Sequence, residues 1–428
     1  MIDKLFAFIL ILIITEATNL AASAIGSYQA VSLVILALTV IYLIINIGRV
    51  ILLLTNGYVF TWLILLLIWP LLTIPLAGIF DERRLALQIF YFSLFMSSIV
   101  LYEKKGWNFI RNIMIASLAV TAAGVFISLL KPELFSFAAS AQKNWGDSVD
   151  FKGRAFGFYL QPNRAANAVT FIVICCMAGQ RSKSIYIQLL PLLIGFAIIA
   201  LTGSRGGAVV YVIVLSICLL YKSRYYNRFI TQSAGLSYLR KASVPLIVCV
   251  IVIGAGLASY SAYQVRSGLS DQSLVDRFTS LFSISNESGD SLSDDMSVTS
   301  RFRVKKQAVV IIAQKPILGH GFDAMQRYKR IGKLDLSTHD MYLKTIMEYG
   351  IIYFVVYAWM ITYLYFNRNR KMMSAALGSN IVTQFIACLL LSSLIINTID
   401  TSKLYCFVLG AIVSLHMAAA QKYNSLQN

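Results

Sequence analysis

The chain has 428 residues, of which 58% are hydrophobic and 13% charged, with a formal net charge of +18 at pH 7. So apolar a composition excludes a water-soluble globule and describes a polytopic membrane protein. The basic residues fall between hydrophobic runs, where they set topology, and this excludes nucleic-acid binding as the reason for the charge.

A membrane-spanning helix needs roughly 20 mostly apolar residues. That rule predicts about twelve spans, near 5–24, 29–54, 58–79, 85–102, 108–130, 164–179, 185–201, 206–221, 244–263, 343–366, 379–397 and 402–420. Runs of this length exclude a β-barrel, whose strands are about half as long and alternate in polarity. The expected fold is an all-α polytopic membrane protein of about twelve transmembrane helices with a helical loop domain on its outer side. Ala22-Ser23-Ala24 resembles a signal-peptide cleavage site, but the n-region carries only Lys4 beside Asp3, so the first helix is read as uncleaved. Glu16 interrupts that first apolar run and is the exception among the ionisable residues, most of which cluster at the predicted outer ends.

With the amino terminus in the cytoplasm, the inner connections carry Arg49, Lys104, Lys105, Arg111, Arg181, Lys183, a group from Lys222 to Lys241, and Arg368 to Lys371. Acidic residues are nearly absent there, which is the positive-inside pattern and predicts both termini cytoplasmic. The chain then reads as four parts. Residues 1–130 hold spans one to five, and 131–263 hold spans six to nine with a first outer loop. Residues 264–342 form a large outer loop, and 343–428 hold the last three spans and a cytoplasmic tail. In the large loop the Ser- and Asp-rich stretch Ser285–Ser300 reads as a surface excursion, and its Asp294-Asp295 pair as solvated carboxylates rather than a metal cage. All six cysteines lie in apolar segments, which implies neither a disulfide framework nor a Cys-rich metal site.

Several predicted outer helix starts carry cationic or titratable residues. Gln161-Pro162-Asn163-Arg164 opens the sixth span, with Arg154 just upstream, and Thr202-Gly203-Ser204-Arg205-Gly206-Gly207 opens the eighth. A glycine-rich turn at a helix start exposes N–H groups to an anion, and an adjacent arginine adds charge-assisted bonds to phosphate. Ser300 to Ala308, with Arg301, Lys305 and Lys306, leads into an apolar stretch and reads as an amphipathic helix near the membrane surface. The chain has three histidines. His416 lies in an apolar run, His320 in the turn-like Leu318-Gly319-His320-Gly321, and His339 where the large loop meets the tenth span, which makes it the candidate for chemistry.

In order and spacing, these segments resemble the O-antigen ligase and polymerase superfamily, membrane glycosyltransferases that take a glycan from undecaprenyl diphosphate at the periplasmic face. The matching stretches are Gly153-Arg154-Ala155-Phe156-Gly157 with Pro162-Asn163, Thr202 to Gly207, and Ser300-Arg301 with Pro316-Ile317-Leu318-Gly319-His320-Gly321-Phe322. The last are His339-Asp340-Met341-Tyr342-Leu343 and Glu348-Tyr349-Gly350. Asp340 stands where the family often has Asn, and Lys305 where it often has an aromatic.

The resemblance implies a multi-pass protein of the bacterial inner membrane whose active site faces the periplasm. It implies metal-independent inverting transfer without a cofactor, His339 as general base, and Arg205 and Arg301 as holders of the diphosphate. Arg154, Asn163, Arg164 and Arg266 form a second rank for glycan or phosphate contact. The implied partners are the lipid-linked glycan donor, a lipid A-core or glycan acceptor, and membrane lipids. Three functions stay open: a ligase delivering glycan to lipid A-core, a polymerase with a carrier-linked acceptor, and a non-enzymatic polysaccharide transporter or flippase. The absence of an internal repeat and the outer clustering of charge weigh against the third.

Overall fold

The computed structural model describes residues 1–77, 82–135, 155–159, 161–178, 185–204, 207–213, 296–334, 341–366 and 403–427. Among them the secondary structure is helical throughout, with no strand. In chain order the elements are α1 (Ile2–Ile14), α2 (Thr18–Ile25), α3 (Tyr28–Ile45), α4 (Ile47–Leu54), α5 (Gly57–Leu63), a π-turn (Ile64–Ile68), α6 (Trp69–Leu72), α7 (Ile74–Ala77) and α8 (Glu82–Leu130). After these come α9 (Pro162–Met177), α10 (Ile185–Thr202), α11 (Met296–Gln314), α12 (Ala324–Arg330), α13 (Met341–Phe366) and α14 (Lys403–Gln427). The chain divides into two compact units, one of Met1–Phe6, Ser32–Ile110 and Glu287–Asn428, the other of Ala7–Val31 and Arg111–Asn286.

Lipid tails give little hydrophobic drive between helices, so close packing and internal hydrogen bonds hold such a bundle together. The first unit shows both. Gly410 on α14 lies against the Phe95 carbonyl of α8, an approach that any side chain at 410 would block. The π-turn frees carbonyls from the helical ladder, and two are taken up from other elements. The Tyr353 hydroxyl donates to the Leu65 oxygen at 3.1 Å, and the Gln88 amide donates to the Leu66 oxygen. Tyr353 and Tyr357 are one turn apart on one face of α13, and the ring of Tyr349, before the Gly350 break, contacts that of Tyr353. At the start of the unit, Asp3 accepts from Lys104 at 2.6 Å and from the Tyr42 hydroxyl at 3.2 Å, and the Phe6 and Tyr42 rings stack.

The structure changes several expected spans. Four helices among the described residues are long and apolar enough to cross a membrane, or five if the bent pair α1 and α2 is one span. The expected spans 244–263 and 379–397 lie outside the described residues. The first expected span is broken, because α1 and α2 meet at 78° around residues 15–17. The second is interrupted at Asn46, between α3 and α4, whereas the third holds as one apolar stretch, Gly57–Leu76, that runs through the π-turn. The boundary expected between the fourth and fifth spans falls at Gly106, whose φ of 73° breaks α8 in two. Inside the tenth, Gly350 with φ 80° breaks α13. Apolar composition reads helix from each of these stretches but carries no mark for a break bonded from elsewhere in the chain.

Candidate functional site

The first motif cluster belongs to the unit containing α11 to α14. Buried Val304, Ala308 and Ile311 of α11 pack with Ala324, Met325 and Tyr328 of α12, with Leu334, and with Met347 of α13. That spacing, with basic residues between, is the amphipathic pattern expected of this segment. The turn Pro316–Phe322 then seats against the break in α13. His320 N–H donates to the Met347 oxygen at 2.8 Å, Gly321 N–H to the Glu348 oxygen at 2.9 Å, and Ile351 N–H to the Pro316 oxygen at 2.8 Å. The break leaves carbonyls and an N–H without helical partners, and the turn supplies them.

Glycine is required on both sides of this joint. A Cβ on Gly319 would stand 2.6 Å from the Glu348 oxygen, and one on Gly350 would collide with the Ile317 carbonyl. Both residues also have positive φ.

His320 is held at both ring nitrogens. Nε2 lies 2.7 Å from the Ile311 carbonyl oxygen, which can only accept, so Nε2 carries the proton. Nδ1 then accepts from the Tyr328 hydroxyl at 2.9 Å, and Arg327 donates to the His320 carbonyl oxygen at 3.0 Å. Burial pushes the imidazole pKa below its ordinary value, aided by the positive charges of Lys315, Arg327 and Lys333, while the Ile311 bond opposes the shift. His320 is thereby a neutral structural residue. His416 is buried between the rings of Tyr58 and Tyr363, as its apolar context predicts.

The first two turns of α13 also bury Lys344 and Glu348, one turn apart on the same face. Sequence reading gave neither a role. Two ionisable residues four apart at the amino-terminal end of an apolar run are the signal the sequence carries.

The second cluster belongs to the other unit. Its loop 155–159 and the start of α9 sit against the α1–α2 break. The Tyr159 hydroxyl donates to the Ile14 carbonyl oxygen at 3.2 Å, and the Asn19 amide donates to the Phe158 oxygen at 3.0 Å. Glu16, with φ 55°, is buried, and its Oε1 lies 3.3 Å from Arg164 while its Oε2 accepts from Asn19 at 3.2 Å. Pro162 occupies the first turn of α9, where its missing N–H costs nothing.

The Thr202–Gly207 turn closes onto the same helix. Ser204 Oγ donates to Asn163 Oδ1 at 2.8 Å and accepts from Gly207 N–H at 3.1 Å. A Cβ on Gly207 would stand 2.5 Å from that of Ala166, so the glycine permits the contact.

Among the expected site residues, the structure therefore joins Asn163 to the glycine-rich turn and pairs Arg164 with Glu16. Arg301 lies on α11. Arg154, Arg205, Arg266 and His339 lie outside the described residues, as does Asp340. Among the described residues, no group of three or more His, Cys, Asp or Glu is arranged to hold a metal ion.

Residues 190–358 match the family model described as O-antigen ligase. The match runs from α10 into α13, takes in the Thr202–Gly207 turn and the joint at Gly350, and supports the O-antigen ligase/polymerase superfamily. Several helices among the described residues are also long and apolar enough to cross a membrane. No curated protein and no solved structure matches the chain.

Proposed function

We propose that this chain, whose residues 190–358 match O-antigen ligase, is a periplasmic-face glycosyltransferase that moves a glycan from undecaprenyl diphosphate to lipid A-core. The observation that carries the reading is this family match over the same stretch that contains the expected donor and base residues. The roles of the histidines support it. His320 has both nitrogens engaged and His416 is buried among aromatic rings, which leaves His339 as the remaining histidine for proton transfer.

In the proposed reaction an acceptor sugar hydroxyl attacks the anomeric carbon from the face opposite the diphosphate. The new C–O bond forms as the C–O bond to phosphate breaks, and undecaprenyl diphosphate leaves with the electron pair. His339 takes the hydroxyl proton as general base, at the loop end that precedes α13 in the chain. Neutral imidazole is the form required, because only it can accept a proton. Arg205 and Arg301 hold the diphosphate, with Arg154 and Arg266 as further contacts, because charge developing on the leaving group needs fixed cations.

The test is transfer by purified, membrane-reconstituted protein carrying His339→Ala, supplied with lipid-linked donor and lipid A-core. Loss of a general base predicts a fall of roughly 100- to 10,000-fold with donor binding retained. Transfer at the normal rate removes His339 as the base. The deletion strain tests the choice of acceptor: free carrier-linked polymer with bare core supports a ligase, whereas core capped by single repeats indicates a polymerase.

A further inference from the structure

Helix α11 has two apolar sides, and the protein's own core covers one of them. Val304, Ala308 and Ile311 form the covered side, packed on α12 and α13. The apolar residues of the Ser300–Ala308 stretch are thereby used in the core, so any lipid contact falls to the second side. At 3.6 residues per turn, Val309, Val310 and Ala313 lie opposite the covered side, and all three are exposed. Ile317 and Leu318 follow in the turn, and with Val309 and Val310 they are 52–59% exposed. Arg303 and Lys306, also exposed, share the outward side of α11 but lie nearer its amino terminus. One helix surface therefore grades from basic to apolar along its axis.

The joint with α13 fixes where the apolar end sits. The Pro316 oxygen accepts from Ile351 N–H, and the backbone of Ile317 and Leu318 lies against Gly350. These partners belong to the apolar span Tyr342–Leu364, at least five residues past its start, which is about 7 Å of helix or more. On the same span Ile351, Val355 and Trp359 recur one turn apart and are exposed. Ile317 and Leu318 adjoin this stripe through the Pro316–Ile351 bond. The exposed patch of the cap is thus continuous with the exposed face of a membrane-crossing helix.

From this continuity we propose that the carboxy-terminal half of α11 and the turn Pro316–Phe322 insert into the lipid leaflet at the amino-terminal end of α13. Acyl chains cover Val309, Val310, Ile317 and Leu318, while Arg303 and Lys306 meet headgroup phosphates. Long basic side chains lay their stems on apolar surface and keep the charge at the headgroups, and that order of residues is the one found along α11. A patch of this kind marks a contact surface. Phospholipid fits it better than a water-borne protein, because the patch runs without a break into a stripe that such a partner cannot reach. The inference concerns where the cap sits and goes beyond the transfer reaction.

The experiment places p-benzoylphenylalanine at Val310, Leu318 or Val355 of the full-length protein, in nanodiscs of equal parts phosphatidylglycerol and phosphatidylcholine, and identifies photo-adducts by mass spectrometry. Val355, exposed on the span itself, sets the yield of a lipid-facing position. Val310 and Leu318 should give acyl-chain adducts in comparable yield. Phosphatidylglycerol should exceed phosphatidylcholine about fivefold among adducts at Val310, the size of one basic residue's attraction to an anionic headgroup, and Arg303→Gln with Lys306→Gln should remove the excess. Lipid adducts at Val355 alone overturn the insertion. Cross-linked pairs of chains at Val310 or Leu318 also overturn it and assign the patch to a second copy, and an equal lipid ratio before the glutamine substitutions overturns the headgroup contact. Should either labelled protein fail to fold, Ile317, exposed in the same patch, takes its place. Glycan transfer is not part of the readout, so failure of the transferase reading leaves this test unaffected.

Discussion

The Ile351 N–H donates to the Pro316 carbonyl oxygen at 2.8 Å, across the point where Gly350 interrupts α13. Two motif segments that carry the family resemblance, Pro316–Phe322 and Glu348–Gly350, are in this way one structural joint.

Replacing Gly350 with Ala should disrupt that joint. The positive φ costs about 1–2 kcal/mol and overpacking against Ile317 typically another 1–3 kcal/mol. A lower thermal midpoint in detergent checks this, and an unchanged midpoint contradicts it. Gly319→Ala should act in the same direction.

The α11–α12 cap should loosen in mild acid. The His320 pKa is lowered on folding, so between that value and about 6.5 the unfolded cap binds the extra proton. The contribution of His320 to stability is complete above about pH 6.5 and is lost as pH falls through the folded value. Protection factors over residues 304–328, corrected for the intrinsic pH dependence of amide exchange, should therefore be lower at pH 5 than at pH 7.5, and His320→Gln should flatten the difference.

Tyr328→Phe removes the hydroxyl that donates to His320 Nδ1 and leaves a buried acceptor, at a cost of about 1–3 kcal/mol. Exchange protection in α12 reports it. If protection is unaffected, the hydroxyl is not the partner that fixes the ring.

Tyr353→Phe leaves the Leu65 carbonyl of the π-turn without its side-chain donor and should cost about 1 kcal/mol of stability. The thermal midpoint measures the effect. Removing the Leu66 donor as well, by Gln88→Leu, should lower it further.

Removing Arg205 should weaken engagement of the bare carrier as well as the glycan-bearing donor. Unchanged binding and turnover in Arg205→Ala would dismiss its phosphate role.

What could be read from the chain follows how local the cause is. Long apolar runs predict helices, and Lys104-Lys105-Gly106 marks the connection that divides α8, because charge and glycine sit where the chain turns. The bends at Glu16 and Gly350 fall inside expected spans, since the residues that stabilise them, Arg164 and Pro316–Gly321, lie elsewhere in the sequence. Glu16 was visible as a lone acid in an apolar segment, but nothing local named its partner. His416 was legible as buried because its own neighbours are apolar. His320 was legible only as part of a turn, and its locked state depends on Ile311 and Tyr328.

The three hydrogen bonds described at the α13 break run from main chain to main chain, so the side chains of Ile317 and Leu318 supply neither donor nor acceptor to it. The backbone part of the attachment of the cap to the helix is thereby insulated from side-chain chemistry, whereas its packing on Met347 is not. Substitutions that retune what the cap touches can accumulate there while the mechanical linkage persists, and a displacement of the cap is delivered to α13 as a push on its backbone.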